Sequence, residues 1–252
     1  LTETQISRPY NCMENPIDET QIVDENLLNC IKRHSTDIAD LTSLTCRYDN
    51  IESLVGIEQL ENVTYLSLEN NNIADISSIS TLTNLTRLDL RNNSVNELSA
   101  LSNLTNLTEL HLSNNGISEI SGLSALTALQ TLDLRNNTLT SIAQLSELTL
   151  MQTLNLSYNS ISDLSALSTL TSLRNVILNN NLLNSLPDMS GLINIYELNL
   201  SNNSLSDISA LADLTTLRYL NLQYNTDIDC SDLDNLESTL NLYSLYKPNQ
   251  CN

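Results

Sequence analysis

The chain has 252 residues, 30 acidic against 10 basic, and a formal net charge of −20. Binders of nucleic acid or of anionic membranes need clustered positive charge, so this balance argues against both as partners and speaks for solubility. No apolar run reaches the ~18–20 residues of a membrane span, so direct membrane insertion is not expected.

In chain order, residues 1–40 stand apart. Leu1 to Glu19 is polar and irregular, broken by Pro9 and Pro16. Asp24 then reads as a helix N-cap. Leu27, Leu28 and Ile31 give an apolar stripe, and Lys32, Arg33 and His34 sit where a helix C-terminus favours positive charge. The spacing predicts a short helix over about 24–34, closing the open end of whatever follows.

From Leu41 the sequence repeats with a period of 22 residues. The stretch from Leu85 to Asn106, LTRLDLRNNSVNELSALSNLTN, is followed by LTELHLSNNGISEISGLSALTA. Repeats start at Leu41, Val63, Leu85, Leu107, Leu129, Met151, Leu173, Ile195 and Leu217, and a degenerate tenth is expected near Thr239. A fixed period of this length marks a solenoid, and these spacings are those of leucine-rich repeats. The L-x-L at positions 4 and 6 alternates with polar neighbours, as a strand with one buried face does. Apolar residues at positions 11, 14, 17 and 20, such as Val95, Leu98, Leu101 and Leu104, suit 3-10 turns on the opposite side. Position 9 is Asn in eight repeats, from Asn71 to Asn225, and Asp49 in the first. A buried amide satisfies both donors and acceptors of the turn backbone, so this ladder is read as structural. The N-x-S/T triplets, such as Asn106-Leu107-Thr108, fall out of the repeat and are weak evidence for glycosylation. The expected fold is an α/β solenoid: a curved, right-handed leucine-rich-repeat arc of about nine or ten repeats. Its parallel sheet is concave, its 3-10 turns are convex, and both ends are capped. The expected divisions are 1–40, 41–238 and 239–252.

The segments ISDLSALSTLTSL, ISEISGLSALTAL and LSDISALADLTTL resemble the 22-residue repeats of the bacterial internalin family. The hallmark is an acid two residues after position 11, seen at Asp75, Glu97, Glu119, Asp163 and Asp207. The segment IVDENLLNCIKR is similar to the helical cap before internalin-type repeats. The resemblance covers about residues 22–238 and implies an exported bacterial protein that binds another protein on its concave face. No sorting motif or wall-binding repeat is visible, so wall anchorage is not expected.

Cys230 takes an apolar position of the ninth repeat and Cys251 is the penultimate residue, so a disulfide is expected to pin the tail. Cys12 and Cys30 are expected to pin the opposite end, leaving Cys46 as a buried free thiol. Two bridges need an oxidising compartment, which gives a secreted, periplasmic or cell-surface location. Leu1 in place of Met fits a signal segment already removed. The competing reading is five reduced thiols in a cytosolic repeat protein.

Positions 3, 5 and 7 face outward from the sheet. Most of the Tyr and six of the basic residues fall at positions 2 to 8, and both types are enriched in interface hot spots. The N-terminal half is a charge checkerboard of Arg87, Asp89, Arg91, Glu109, His111, Asp133 and Arg135, with Tyr65 beside it. The C-terminal half carries Tyr158, Tyr196, Tyr219, Tyr224 and Tyr243, with Ile177 as an outward apolar residue. The main contact with a protein partner is expected there. The plainer alternative is that a sheet face tolerates aromatic and long side chains. The row Asp89, His111, Asp133 could hold a divalent ion, but Arg91 and Arg135 beside it favour a charge cluster. His34 and His111 are the only His, no Ser or Cys has a recognisable base, and no Gly-rich phosphate loop occurs. Neither an enzyme nor a cofactor is expected. The reading is a monomeric, non-enzymatic binding scaffold. The alternatives are a cytosolic adaptor that regulates another protein such as a phosphatase, and a carbohydrate-binding ectodomain.

Overall fold

The computed structural model describes residues 16–251. Helix α1, Glu25–His34, forms where the sequence places it and buries Leu27, Cys30 and Ile31 against the first repeat. Asp24 does two jobs. Its Oδ1 accepts from the backbone N–H groups of Asn26 and Leu27, at 2.8 and 3.2 Å, and starts the helix. Its Oδ2 accepts from Glu52 and Ser53, at 2.7 and 3.0 Å, and fastens the helix to the solenoid. Desolvation opposes the charge, but these N–H groups hold the Asp24 carboxyl below the usual range.

Ten short strands follow: β1 Ser43–Thr45, β2 Tyr65–Ser67, β3 Arg87–Asp89, β4 Glu109–His111, β5 Thr131–Asp133, β6 Thr153–Asn155, β7 Asn175–Ile177, β8 Glu197–Asn199, β9 Tyr219–Asn221 and β10 Ser244–Tyr246. They pair in sequence order in one parallel sheet. The chain is a curved leucine-rich-repeat solenoid whose core is one unbroken column of Leu, Ile and Val. The other side of the coils carries 3-10 turns, among them Ser77–Thr81, Ser99–Asn103 and Ser165–Thr169. At Gly122 these turns come so close that a Cβ would sit 2.1 Å from the Leu98 carbonyl oxygen. The seventh repeat, with Leu186-Pro187-Asp188, has no such turn.

The ninth repeat departs from the expected pattern. Its convex side is a full α-helix, α2, Cys230–Thr239, capped by Asp229. An α-helix advances ~1.5 Å per residue against ~2.0 Å for a 3-10 helix, so it uses more residues to cover the same side. The register shows this. Ser43 pairs with Tyr65, 22 residues on, but Tyr219 pairs with Ser244, 25 residues on. The tenth coil therefore begins at Leu242, three residues later than Thr239.

The position-9 ladder holds the coils together. In Asn137, Nδ2 donates to Leu112 O in the preceding coil (3.1 Å) and to Leu134 O in its own (3.0 Å), while Oδ1 accepts from Ile117 N (3.0 Å). The same three links recur at every rung from Asn71 to Asn225. Asp49 fits the first rung because α1, not another coil, precedes it. Arg33 Nη2 donates to both of its oxygens, at 2.7 and 2.8 Å. A second ladder runs along the coil junctions. Asn62, Asn84 and Asn106 donate to Ala39, Glu61 and Thr83 carbonyls. These are the Asn of N-x-T triplets, and their amides are already spent on the fold.

One disulfide expectation is corrected. Cys30 is bonded to Cys46, not to Cys12. Position 6 of the first repeat points into the core, and the buried face of α1 lies on that open end of the core, so the two sulfurs meet there, both fully buried. Cys46 is therefore not a free thiol, and Cys12 lies outside the described residues. Cys230 and Cys251 form the second bridge, tying α2 to the final turn. Each closes a loop worth about 3 kcal/mol in the chain-entropy account, given separations of 16 and 21 residues.

Candidate binding face on the concave sheet

From β1 to β4 the face is an internally satisfied ion network. Asp89 is fully buried, and Arg91 grips it with Nε–Oδ1 at 2.9 Å and Nη2–Oδ2 at 2.7 Å. Burial opposes the Asp89 charge, but Arg91 holds the carboxyl below its ordinary range, and the Arg91 guanidinium is pushed up in return. Arg47 reaches Glu69 at 3.5 Å and donates to the Tyr65 hydroxyl at 3.1 Å. Arg87 lies over the Tyr65 ring and pairs with Glu109 at 3.2 Å. His111 Nε2 sits 2.6 Å from Glu109 Oε1. Asp89, His111 and Asp133 do occupy facing positions on β3, β4 and β5. They do not converge as ligands, because Asp89 is committed to Arg91 and His111 to Glu109. Among the described residues, Cys30, Cys46 and Asp49 bring ligand atoms within 4.8 Å, and both sulfurs are spent in the bridge. Asp89, expected as a partner contact, is instead an internal anchor with no exposed surface.

The C-terminal half is built differently. Tyr196 and Tyr219 pack edge to face at 5.4 Å between ring centroids, and Tyr219 and Tyr243 at 5.9 Å. Arg218 lies over Tyr243, and Arg135 over Tyr158, at 5.8 and 5.2 Å. These rings are not sunk in the core: Tyr219 is 39% exposed, Tyr196 44% and Tyr243 66%. The Tyr196 phenol is raised above its ordinary pKa, first by lost hydration and then by the neighbouring Tyr219 hydroxyl. Ile177 takes the outward position on β7, as the alternation requires, but is half-buried rather than open.

Tyr158 and Tyr224 stand at position 8, at the rim. Position 8 is left-handed in all nine repeats from Tyr48 to Tyr224. Asn fills it six times, the residue that tolerates this conformation, and Tyr fills it at 48, 158 and 224. A bulky residue there costs about 1–2 kcal/mol relative to right-handed backbone.

Four residues of this face were not among the expected site residues: Tyr246, Glu197, Arg174 and Arg218. Tyr246 and Glu197 line, with the expected Tyr219 and with Asn199 and Asn221, a cleft of about 160 Å³. The three-residue shift in register had hidden that Tyr246 takes the outward fifth position beside Asn221. Arg174 and Arg218, both at position 2, were countable as concave-side cations from their spacing alone.

A ten-stranded parallel sheet backed by 3-10 turns and tied by an Asn ladder defines the class as a leucine-rich-repeat solenoid. Family models described as leucine-rich repeats match residues 61–104, 105–147, 147–168 and 194–214. Internalin C2 from Listeria monocytogenes is similar at 31% identity and TM-score 0.78, covering 82% of this chain and 96% of that one. Internalin InlF from the same organism is similar at 29% identity and TM-score 0.69, covering 94% and 85%. A leucine-rich-repeat protein of Leptospira interrogans, 21% identical with TM-score 0.70 over 89% of this chain and 70% of that one, shares the fold. No curated protein matches the sequence. The chain belongs to the internalin-type leucine-rich-repeat family.

Proposed function

We propose that this chain is an exported bacterial scaffold that binds another protein on its concave face, chiefly through the tyrosine-rich C-terminal half. The observation that carries the reading is the edge-to-face run Tyr196, Tyr219, Tyr243, left exposed in a chain with no Trp and no Phe. Rigid, amphipathic rings exposed on a binding face are anchors of the kind that dominate interface energies. Tyr224 supports it, because it occupies left-handed backbone that disfavours it and is largely exposed; Tyr158, in the same backbone, is engaged by Arg135. The two disulfides support export, since such bonds persist in oxidising compartments. The leucine-rich-repeat ectodomain of a plant membrane receptor kinase from Arabidopsis thaliana, similar in fold at 28% identity and TM-score 0.63 over 71% of this chain and 24% of that one, was solved in complex with Casparian strip integrity factor 2. The scaffold is non-enzymatic and acts as a monomer.

The test is site-specific photo-crosslinking, with a photoreactive phenylalanine at position 219 and, as control, at Ser102 on the convex side. The expected result is a discrete protein adduct from position 219 alone. Once that protein is in hand, Tyr196→Ala with Tyr219→Ala is expected to weaken binding at least ~10-fold, or about 1.4 kcal/mol, and to leave Tm within ~2 °C. Equal affinity in the double variant overturns the proposal.

A further inference from the structure

Nine of the ten Lys and Arg side chains are among the described residues. Six have a carboxylate partner: Lys32, Arg33, Arg47, Arg87, Arg91 and Lys247. Among the described residues, Arg135, Arg174 and Arg218 form no ion pair, although the chain carries 30 acids. In so acidic a protein an unpaired guanidinium is the exception; Arg135 belongs to the charged half and lies over Tyr158, while Arg174 and Arg218 fall in the half of the face that holds the tyrosine run.

Two of them belong to one row. Position 2 of four successive coils reads Arg174, Tyr196, Arg218, Tyr243, and the row is stitched by backbone bonds. Tyr196 N donates to Arg174 O at 2.8 Å, Arg218 N to Tyr196 O at 2.9 Å, and Tyr243 N to Arg218 O at 2.8 Å. Neighbouring strands lie ~4.8 Å apart, so the two arginines stand roughly 10 Å apart with a tyrosine between and another beyond. Arg218 Nη1 is held by the Thr215 and Leu217 carbonyls, at 3.0 and 2.7 Å, which fixes the head group without neutralising it. Glu197, one position over on β8, is the only acid on strands β7 to β10 and pairs with neither arginine. It repels an acidic ligand from the middle of the sheet and confines it to the row.

We propose that this row binds an acidic, extended segment of the partner protein in polyproline conformation, with carboxylates three residues apart. In that conformation the rise is ~3.1 Å per residue with three residues per turn, so residues i and i+3 share a face about 9.3 Å apart. That repeat matches the two arginines, and the tyrosines between and beyond them offer the aromatic surface on which such helices dock. Each guanidinium supplies a fork for one carboxylate. The inference rests on the concave-face reading above and names the chemistry of its ligand.

The probe is a fluorescein-labelled peptide of four Glu-Pro-Pro units, read by fluorescence anisotropy against the folded protein. Its counterparts are the Gln-Pro-Pro peptide and a sulfated heparin oligosaccharide as competitor. Binding of the Glu peptide is expected to fall at least ~10-fold in Arg174→Gln with Arg218→Gln and to be partly kept in the double Lys variant. It is expected to be unchanged in Lys32→Gln at the far cap. Equal binding by the Gln peptide, by the double Gln variant, or displacement by the oligosaccharide at lower concentration than by unlabelled Glu peptide overturns the proposal. So does no binding at all. In each of those cases, a protein adduct from position 219 leaves the concave-face scaffold standing, whereas its absence as well removes both.

Discussion

Asn137→Ala tests the account of how the coils cohere. The side chain makes three short links, which are unequal, and a longer one to Arg135 O at 3.3 Å, an oxygen that Asn114 N–H already serves. Leu112 O, which it reaches at 3.1 Å, also accepts from Asn115 Nδ2 at 3.0 Å. Leu134 O, at 3.0 Å, also accepts from Asn159 Nδ2 at 3.0 Å. Both carbonyls keep a partner after truncation. The Ile117 N–H, bonded to Oδ1 at 3.0 Å, has no second acceptor and is left orphaned in the core. One orphaned buried donor costs about 1–3 kcal/mol and each lost shared bond about 0.5–1, which sums to roughly 2–5 kcal/mol. For a domain of this size that lowers Tm by roughly 4–20 °C. Chemical denaturation followed by far-ultraviolet circular dichroism, with thermal melts beside it, measures the loss. A cost below ~1 kcal/mol refutes the bookkeeping, because a single unsatisfied N–H already exceeds it.

Four further outcomes are expected. Alkylation of the denatured, non-reduced protein should find one free thiol, and peptide mapping should place it at Cys12 rather than Cys46, which becomes reactive only after reduction. Tyr224→Asn and Tyr158→Asn should each hold or raise stability by up to about 1 kcal/mol, since Asn accepts left-handed backbone, while weakening partner binding; a clear loss of Tm contradicts the strain argument. Asp89→Asn should destabilise at neutral pH and not in acid. The folded Asp89 pKa is depressed, so its contribution is complete above the unfolded value of ~3.9 and disappears as pH falls through the lower folded value. Stability curves for parent and variant that stay parallel down to acid pH rule this out. Asp24→Ala should loosen α1 from the first repeat and expose the 16–40 segment to limited proteolysis before the rest of the chain.

The repeat made most of the fold legible. A 22-residue period with L-x-L and a ninth-position Asn dictates coil, sheet and ladder together, because one side chain in each unit serves the next. What was illegible lay where the period stops. Cys46 was read as a core thiol because position 6 is buried in every coil, and nothing in the chain order says that Cys30 on α1 reaches that same end of the core. The span over Cys230 to Thr239 reads as part of one more regular repeat with a 3-10 turn, because its apolar spacing suits that turn as well as a helix. Only the strand register exposed the three extra residues. On the concave face the columns were readable and the pairings were not. Asp89 and Arg135 look alike as charges in a checkerboard, yet one is sealed under Arg91 and the other stacks on a ring.

The two bridges also decide where this molecule comes apart. A linear stack in which each unit touches only its neighbours tends to fray from its ends, where a unit has one neighbour instead of two. Here the first coil is sewn to its cap and the last to its tail. Melting from the tips is thereby suppressed, and the seam of least resistance moves inward, to the seventh coil, which lacks the 3-10 turn of its neighbours. That coil carries Arg174 and adjoins Tyr196. The proposed row starts on that coil, so a segment laid across Arg174 to Tyr243, as proposed above, would span the seam and splint it.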